Sequence, residues 1–475
     1  MDKRPHPVSV WRYFSRFFFL LAVPVIQAIL REPLSKVAWG NLPGLLLIAG
    51  LSFFQYDTSG YGIGPRDGGA GEKRPYLRLK SGLFYRRQKI LPADCLTSAM
   101  IRSTPLLGAF GASQLILDTP AADSKKPSAD LYLNRAMLSR WWRRMKKDVH
   151  YRYRASQARI FLMAASWSNP ASGLVLVGIL LDRTGKILGE ELSRSLYAAA
   201  NQSSRLVALG LPPTVAFLGW LLAFGWFAAF VTQFFRYGSF SAGKTPRGIL
   251  IERGILFRSR QYLKDRAVRA VSVRQTLMMR MLRLSSVYLH TIGSGREKDD
   301  RSLLLAAVSE EELEFHLNRI YPMDAECLLT GRHEKKISPP RTALKSFLLL
   351  PVCHLLAVVI LFLLCRAFAP FFAPLVLFLL VFPLYHTALH IAAWKESFLA
   401  VSGKNLVACG YIRDQLFTAV IPRESLQCLV IRQNPFQRVS GRCSLRLCIG
   451  TERGACFTLR HFSRKEAEAL LGLSG

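Results

Sequence analysis

The segment 238–245 fits the phosphate-loop pattern and is the clearest motif for nucleotide chemistry in the sequence. A phosphate loop also needs a buried strand before it and a helix that begins at its lysine, because the N–H groups of the first helical turn bind the phosphate. Here a long apolar segment precedes the motif, and Pro246 and Gly248 follow Lys244 and lead into a strand-like run. The context therefore argues against nucleotide binding.

Three histidines, His354, His386 and His390, lie in the last pair of apolar segments and could ligate haem or a metal, or relay protons. At 1.5 Å per helical residue, His354 and His386 fall at similar distances from the ends of their segments. His390 follows His386 by four residues and lies on the same helix face. Hydrogen bonding between helices explains these residues more simply, so we expect no cofactor.

The nine cysteines do not have the spacing of a zinc site. Cys443, Cys448 and Cys456 lack the paired Cys-x-x-Cys arrangement, and strand alternation turns Cys443 and Cys448 to opposite faces. We expect small apolar fillers, mostly reduced thiols and no bound metal. The sequence also shows no plausible pair of catalytic carboxylates and no serine or cysteine nucleophile motif, which favours a non-enzymatic function.

A basic and aromatic run over residues 140–159 is the strongest candidate for binding. It holds eight bases, one acid and four aromatic residues, and it directly precedes an apolar segment. Tryptophan and tyrosine favour the headgroup layer of a membrane, and each nearby base gains about 1 kcal/mol from anionic lipid. A topological stop-transfer signal is the alternative interpretation. The candidate residues are Trp141, Trp142, Arg143, Arg144, Lys146 and Lys147.

Further bases recur at related positions. Arg102, Arg274 and Arg432 each occupy one position of a repeated pattern, where an arginine either binds phosphorylated headgroups or fixes a strand turn through backbone carbonyls. The structural role is the favoured interpretation. Arg258, Arg260 and Lys264, beside a predicted hairpin, are additional candidates for acidic headgroups.

Charge and hydropathy occupy different stretches of the chain. The formal net charge is +33, although 51% of the residues are hydrophobic. A soluble protein of this charge would favour nucleic acid, whereas in a membrane protein the same charge indicates cytoplasmic loops and anionic lipid. We therefore expect membrane lipids as partners, and another membrane protein of the same kind as a further candidate, but no nucleic acid.

Apolar segments that are long enough to cross about 30 Å of hydrocarbon occur in pairs. The segments are 17–30 with 37–54, 160–181 with 207–235, and 344–364 with 367–394. If all of them cross, most of the positive charge lies on one side, which the positive-inside rule assigns to the cytoplasm. The sequence thus predicts a multi-pass protein of the cytoplasmic membrane with both termini in the cytoplasm.

Three stretches between the apolar pairs resemble one another, which predicts an internal repeat. In each, a glycine separates short alternating runs, an arginine follows about twenty residues later, and a strand then leads towards a helix. The helix begins at a serine in the second and third copies. The marker residues are Gly82 with Arg102, Gly254 with Arg274, and Gly410 with Arg432.

This arrangement, together with His6-Pro7 near the N-terminus, resembles the YdbT-like membrane proteins that carry bacterial pleckstrin-homology-like domains. The resemblance implies split β-barrels, each capped by a C-terminal helix, and no established catalytic residues. The expected fold class is an α+β membrane protein with about six transmembrane helices in three hairpins, alternating with three small PH-like domains. The expected boundaries are hairpins at 1–54, 155–237 and 343–394, and domains at 72–145 (divergent), 244–322 and 395–475.

The favoured function is a non-enzymatic, membrane-anchored scaffold whose domains bind partner proteins or anionic lipids, in envelope maintenance or stress defence. Transport of a lipid or another amphiphile along the helices is a second hypothesis, because prolines interrupt two of the apolar segments. A haem or quinone enzyme is a third, and it depends on His354 and His386.

Overall fold

The structure, a computed structural model, describes residues 3–15, 34–68, 72–82, 85–120, 127–168, 213–292, 301–321, 335–368, 370, 373–451 and 455–472. Within these residues the chain is α+β, with four antiparallel β-sheets and a set of helices. Three consecutive stretches of the chain supply the strands.

The first stretch begins with a long helix and then forms two groups of three strands. Its elements are α1 (Leu34–Asp57), β1 (Gly60–Gly68), β2 (Glu72–Ser81), β3 (Arg87–Pro92), β4 (Ser98–Ser103), α2 (Pro105–Ala109), β5 (Ala112–Asp118), β6 (Ala129–Asn134) and α3 (Arg135–Lys147). Asn134 ends β6 and caps α3, because its side chain accepts a hydrogen bond from the N–H of Ala136 over 2.8 Å.

The second stretch contains two helices that precede its main strands. Its elements are β7 (Tyr151–Arg154), α4 (Gln157–Trp167), α5 (Pro213–Tyr237), β8 (Ser241–Thr245), β9 (Gly248–Arg253), β10 (Arg258–Lys264), β11 (Val268–Thr276), α6 (Leu277–Met281), β12 (Leu284–Thr291), β13 (Arg301–Ser309) and α7 (Glu310–Ile320). Gly254 lies between β9 and β10 at φ +93°, a conformation that favours glycine.

The third stretch surrounds a helical hairpin. Its elements are β14 (Lys335–Ile337), α8 (Leu344–Phe368), α9 (Ala373–Leu379), α10 (Val381–Glu396), β15 (Phe398–Ser402), β16 (Asn405–Ile412), β17 (Gln415–Pro422), β18 (Leu426–Arg432), α11 (Pro435–Val439), β19 (Arg442–Ile449), β20 (Cys456–Ser463) and α12 (Arg464–Leu471). Gly410 lies inside β16 rather than in a turn, so its alignment with Gly254 is wrong. The hairpin turn falls at Arg413 instead, with φ +58°.

The boundaries of the sheets do not coincide with those of the predicted domains. Two sheets have three strands, in the orders β1-β2-β3 and β18-β19-β20. The other two have seven strands each, in the orders β6-β5-β4-β10-β9-β8-β7 and β13-β12-β11-β17-β16-β15-β14. Each seven-stranded sheet joins strands of two consecutive stretches, because an edge strand of one hydrogen-bonds to an edge strand of the next. The picture of separate small barrels is therefore incorrect.

The two junctions between stretches are antiparallel strand pairs. In the first junction β4 pairs with β10, and Arg102 lies opposite Ser259. In the second junction β11 pairs with β17, and Arg274 lies opposite Phe417. As a result, four strands have a hydrogen-bonded neighbour on both sides: β4, β10, β11 and β17.

The largest core lies in the second stretch, between its two sheets and helices α4 and α7. Its fully buried aliphatic residues include Val271, Leu289, Leu305 and Leu317. Burial of each such side chain stabilises the fold by about 1.5–3 kcal/mol. Leu313, Leu317 and Ile320 follow the 3.6-residue period of α7, so one face of this helix covers the sheet.

The expectation of about six transmembrane helices in three hairpins is wrong. Within the described residues, one helical stretch, Arg341–Phe368, is long and apolar enough to cross a membrane. Helix α4 has 11 residues, α9 has 7 and α10 has 16, whereas a span needs about 20. The side chains of α1 and α5 are described only over 43–57 and 221–237. The predicted segment 17–30 lies outside the described residues, as do residues 169–181 and 207–212 of two other predicted segments.

The apolar stretch Arg341–Phe368 has little protein around it. Only 11% of its most apolar window is buried, whereas the core helix of a soluble protein is mostly buried. Leu349, Leu356, Ile360 and Leu363 are each more than half exposed. One apolar helix of this kind is weak support for membrane association.

One pair of cysteines departs from the expectation of reduced thiols. Cys448 and Cys456 lie opposite each other on β19 and β20, and a disulfide joins them. Cys443 is buried and Cys448 is not, so the predicted alternation along β19 agrees with their burial.

Candidate functional site

Helix α3 carries most of the residues that the sequence singled out for lipid binding. Leu138 and Trp142 are buried and lie four residues apart, so they share one face of the helix. Trp142 is 2% exposed and its neighbour Trp141 is 38% exposed. The helix therefore has a docked face and an exposed face, and adjacent tryptophans belong to different faces.

The docked face binds Glu252 of β9, in the second stretch of the chain. The indole Nε1 of Trp142 donates to Oε1 of Glu252 over 2.6 Å, and Nζ of Lys146 donates to Oε2 over 2.9 Å. Arg152 of β7 adds a third bond to Oε2 over 2.7 Å. Glu252 thus fixes α3 on the part of the seven-stranded sheet that the second stretch supplies.

The environment of Glu252 favours its ionised form. Burial alone would raise the pKa of this carboxyl group. The hydrogen bonds from Lys146 and Trp142, together with the charges of Lys146 and Arg152, outweigh burial and lower the pKa below its ordinary value. Trp142 and Lys146, both predicted to bind lipid, therefore contribute to this internal contact.

The exposed face of α3 is basic and aromatic. Arg140, Trp141, Arg143, Arg144 and Lys147 are all exposed. Three of them, Arg140, Trp141 and Arg144, line one shallow groove together with Asn134, Ala136 and Met137. This arrangement places positive charge around an amphipathic ring, as a headgroup-binding surface requires.

A small pocket lies where α3 meets the first junction. Three arginines line it, Arg135, Arg258 and Arg260, and its other lining residues are Ile101, Ser103, Ser113, Leu138 and Ser139. Burial lowers the pKa of Arg260, and the neighbouring charges of Arg258 and Arg135 lower it further, although Glu252 opposes this. Three arginines give this pocket a basic lining, while the hydroxyl groups of Ser103 and Ser113 hydrogen-bond to each other over 2.8 Å.

The remaining predicted bases lie in three different settings. Lys264 holds the first junction together, because its Nζ donates to the carbonyl oxygens of Ala93 and Asp94 over 3.0 and 3.3 Å. Arg274 is 5% exposed and its guanidinium lies over the ring of Tyr288, 5.5 Å from the centroid, so it sits inside the fold. Arg432 is exposed at the end of β18.

Short helices beside the α8–α10 hairpin expose apolar side chains. On α6, Met278 is 54% exposed and Met281 is 81% exposed; on α11, Phe436 and Val439 are 86% and 91% exposed. Arg280 of α6 forms an ion pair with Glu396, the last residue of α10.

Helix α11 also lies near the base of this hairpin. Arg442, which follows α11, donates to the hydroxyl group of Ser346 in α8 over 3.0 Å. The exposed apolar side chains of α6 and α11 therefore lie near the base of the apolar helix α8.

The structure brings the three histidines of the hairpin together. The ring centroids of His354 and His386 are 6.1 Å apart, and those of His386 and His390 are 5.2 Å apart. His390 also contacts the carbonyl oxygen of Phe347 through Nδ1 over 2.6 Å. This last contact is the interhelical hydrogen bond expected from the simpler interpretation.

The phosphate-loop pattern forms a strand. Residues 241–245 belong to β8, and Nζ of Lys244 forms an ion pair with Asp265 over 2.7 Å. No helix begins at this lysine, so its backbone lacks the geometry that binds phosphate.

Residues 203–323 match the family model of the bacterial PH domain. A bacterial PH domain is present there. No curated protein and no solved structure matches the chain. The prediction of a PH-like domain is confirmed for this part of the sequence, and such domains are typically non-catalytic. The YdbT-like identity, the internal repeat and the domain boundaries stay predictions.

Sequence reasoning missed several residues of the candidate site. Glu252 lies more than one hundred residues from α3, so nothing local connects them. Arg135 begins the same helix as the predicted bases and Ser139 follows it by four residues, so helical periodicity would have placed the two on one face. The exposed side chains of α6 and α11 follow recognised arginines by only a few residues.

Proposed function

We propose that this protein is a non-enzymatic, membrane-anchored scaffold that binds anionic lipid headgroups at the cytoplasmic side of a bacterial inner membrane. The exposed face of α3 is the binding surface, and α8 is the anchor. The observation that carries this proposal is the division of α3, in which Arg140, Trp141 and Arg144 line an open groove while Trp142 is held by Glu252.

The charge on this face favours anionic lipid. Four exposed bases, Arg140, Arg143, Arg144 and Lys147, each gain about 1 kcal/mol near an anionic surface, and this gain falls with ionic strength. Only the acid Asp148 follows them, and the exposed part of the helix has no acid of its own. Trp141 adds the interfacial preference of an indole ring.

The apolar surface supports attachment to the same membrane. Helix α8 exposes its apolar side chains along most of its length, and the tips of α6 and α11 add Met281, Phe436 and Val439 near its base. Apolar groups in this position insert at the boundary between headgroups and acyl chains. The third stretch is thereby seated on the bilayer.

We further propose that the three stretches are copies of one PH-like module in a YdbT-like arrangement, with both chain termini in the cytoplasm. Each stretch contains the order strand, 3₁₀ turn, strand, short helix, two strands and a closing helix. The bacterial PH domain at 203–323 is the second of these copies.

A lipid-retention experiment tests the proposed binding surface. The full chain is purified in mild detergent with a mixture of phosphatidylglycerol and phosphatidylethanolamine, and native mass spectrometry counts the lipids that remain bound. The test variant replaces Arg140, Arg143, Arg144 and Lys147 by glutamine. The control variant makes the same change in net charge at four exposed bases of the third stretch, Lys404, Arg413, Arg423 and Lys465.

The wild-type chain and the control should retain phosphatidylglycerol, and the test variant should lose most of this retention, by about tenfold or more. Raising the salt concentration should reduce retention by the wild-type chain towards the level of the variant. Equal retention by both variants, or retention that ignores lipid charge, would show that α3 is not the binding surface.

A further inference from the structure

Each of the two three-stranded sheets, one from the first stretch and one from the third, has a strand with an open edge. Within the described residues, β3 and β18 are each the last strand of a three-stranded sheet and lack a neighbour on one side. Arg87, Gln88, Lys89 and Ile90 of β3 are exposed. An open edge presents N–H and C=O groups that are ready to pair with another strand.

The strands equivalent to these two edges are paired with each other inside the chain. A three-residue 3₁₀ turn follows β3, β10 and β17, and precedes β4, β11 and β18. In the closed junctions, β4 pairs with β10 and β11 pairs with β17. The edge of β18 is thus of the kind that accepts a strand such as β3.

The two closed junctions have the same register. Ser259 and Phe417 each lie six residues before their 3₁₀ turn, and their partners Arg102 and Arg274 each lie seven residues after theirs. The residues at the same two positions of the open edges are Arg87 and Arg432. The register of a pairing between β3 and β18 follows directly.

We propose that β18 of one copy of this chain pairs with β3 of a second copy, so that the copies join head to tail. The interface would repeat the antiparallel pairing and register that the chain already makes twice. Because the contact joins two different surfaces, it is heterologous and generates a ring or an open chain of copies. The proposal does not depend on lipid binding by α3.

The residue types of the two edges are compatible with this pairing. Strand β10 carries Arg258, Arg260 and Lys264 and is nevertheless paired, so the bases of β3 are no obstacle. Pro92, which lacks an N–H group, ends β3 just as Pro422 ends the paired strand β17. Strand β18 presents a largely apolar sequence, Leu-Gln-Cys-Leu-Val-Ile-Arg, with few of the charges that keep an edge unpaired.

One feature of the register weakens the contact between native copies. Arg432 would lie opposite Arg87 of the second copy, and like charges on directly opposite residues repel. The association should therefore be weak and should respond to charge reversal. Arg432→Glu should tighten it about tenfold, Arg87→Glu should do the same, and the double reversal should return it to the wild-type strength or below.

The alternation of hydrogen bonds identifies which pairs suit a cross-link. The N–H of Lys264 donates to the carbonyl of Thr97 over 3.0 Å, so these two opposite residues of the first junction are a hydrogen-bonded pair. Hydrogen-bonded and non-hydrogen-bonded pairs alternate from there, which makes Gln261 and Met100 a non-hydrogen-bonded pair. Transferred to the open edges, Lys89 and Val430 form a non-hydrogen-bonded pair. Cα atoms in such a pair are about 4.5 Å apart, within the range that a disulfide spans.

The test uses the full chain with Cys95, Cys353 and Cys428, the exposed cysteines of the described residues, replaced by serine together with Cys327, which lies outside them. One preparation carries Lys89→Cys and a second, with a different affinity tag, carries Val430→Cys. Oxidation of the mixture in detergent should give a cross-linked dimer of the two tags. A chain with both substitutions should give a ladder of multimers or one closed ring.

A matched control moves the second cysteine by one residue, to Leu429→Cys, which turns the side chain to the other face of the sheet. It should cross-link with Lys89→Cys at least tenfold less. A blocking variant, Leu429→Pro, removes an N–H group that points out of the edge and should abolish the cross-link between positions 89 and 430. Its thermal unfolding shows whether the fold survives.

Equal cross-linking in the control, or no cross-linking by a folded chain at tens of micromolar, would overturn the proposal. Charge reversal provides a second test of the pairing, which needs no cysteine. Sedimentation velocity should show larger assemblies for Arg432→Glu than for the wild-type chain. If the single and double reversals behave alike, Arg87 and Arg432 do not face each other and the proposed register is incorrect.

Discussion

The docked and exposed faces of α3 contain the same residue types in opposite roles. Trp142 and Lys146 contact Glu252 across the first junction, while Trp141 and Lys147, their chain neighbours, are exposed. The helical period alone separates the two sets. A basic and aromatic segment therefore combines a structural contact with a candidate binding surface, and only the face of each residue distinguishes them.

The comparison also explains how the first two stretches hold together. Strand β4 pairs with β10, Lys264 reaches the carbonyl groups that follow β3, and α3 reaches Glu252 on β9. These contacts are independent of any lipid. We therefore expect mutations on the docked face to lower stability and mutations on the exposed face to lower lipid binding.

The largest expected effect is that of Trp142→Ala. The change removes a buried aromatic side chain and leaves Glu252 without one hydrogen bond, so the free energy of unfolding should fall by about 3–5 kcal/mol. Trp141→Ala, the matched control, should change it by less than about 0.5 kcal/mol. Denaturant unfolding of both variants in the same detergent measures the difference, and similar losses would contradict the division of the helix.

The next effect is that of Glu252→Gln. The amide keeps the shape of the carboxyl group but removes the charge that Lys146 and Arg152 contact, so stability should fall by about 2 kcal/mol. The pKa of Glu252 is lowered in the fold from an ordinary value of 4.5. Its contribution is therefore fully present above about pH 4.5 and is lost as the pH falls through the lower folded value.

A pH series separates this contribution from that of other carboxyl groups. The difference in stability between the wild-type chain and Glu252→Gln should be constant from pH 7 to about pH 5 and should shrink below pH 4.5. A difference that grows on acidification would mean that the carboxyl group is not stabilised by its basic neighbours.

A smaller effect is expected for Trp141→Ala on lipid binding. Loss of one interfacial indole ring should reduce the retention of phosphatidylglycerol by about threefold to tenfold, which corresponds to roughly 1 kcal/mol. Trp141→Phe keeps an apolar ring and should lose less. Native mass spectrometry of the two variants measures the retained lipid. Unchanged retention in both would mean that the bases bind the lipid without a contribution from Trp141.

Much of the local structure was readable in the sequence. The alternation in the second stretch predicted its strands, and the helix predicted to begin at a serine of the second copy is found at Glu310–Ile320, directly after Ser309. The sequence also led to a PH-like domain where the family match lies. These features depend on short-range patterns, which a single sequence contains.

Features that depend on distant contacts were not readable. Joint sheets form from edge strands more than one hundred residues apart, and no local signal reports whether such an edge is paired. The predicted number of spanning helices is wrong because two of the apolar segments do not each form one long helix. Helix α4 ends at Trp167, and segment 367–394 is divided between α9 and α10. Arg274 recurs in the pattern, but its position over Tyr288 depends on tertiary packing.

The most direct test places a fluorescent reporter on the exposed face of α3 while the full chain sits in lipid nanodiscs. The chain lacks its exposed cysteines and carries the environment-sensitive dye NBD at Arg144→Cys, or at Arg413→Cys as a matched exposed site in the third stretch. Replacing phosphatidylcholine by phosphatidylglycerol should shift the emission of the dye at position 144 to the blue and leave position 413 unchanged. An unchanged spectrum at 144, or equal shifts at both sites, would contradict lipid binding by α3.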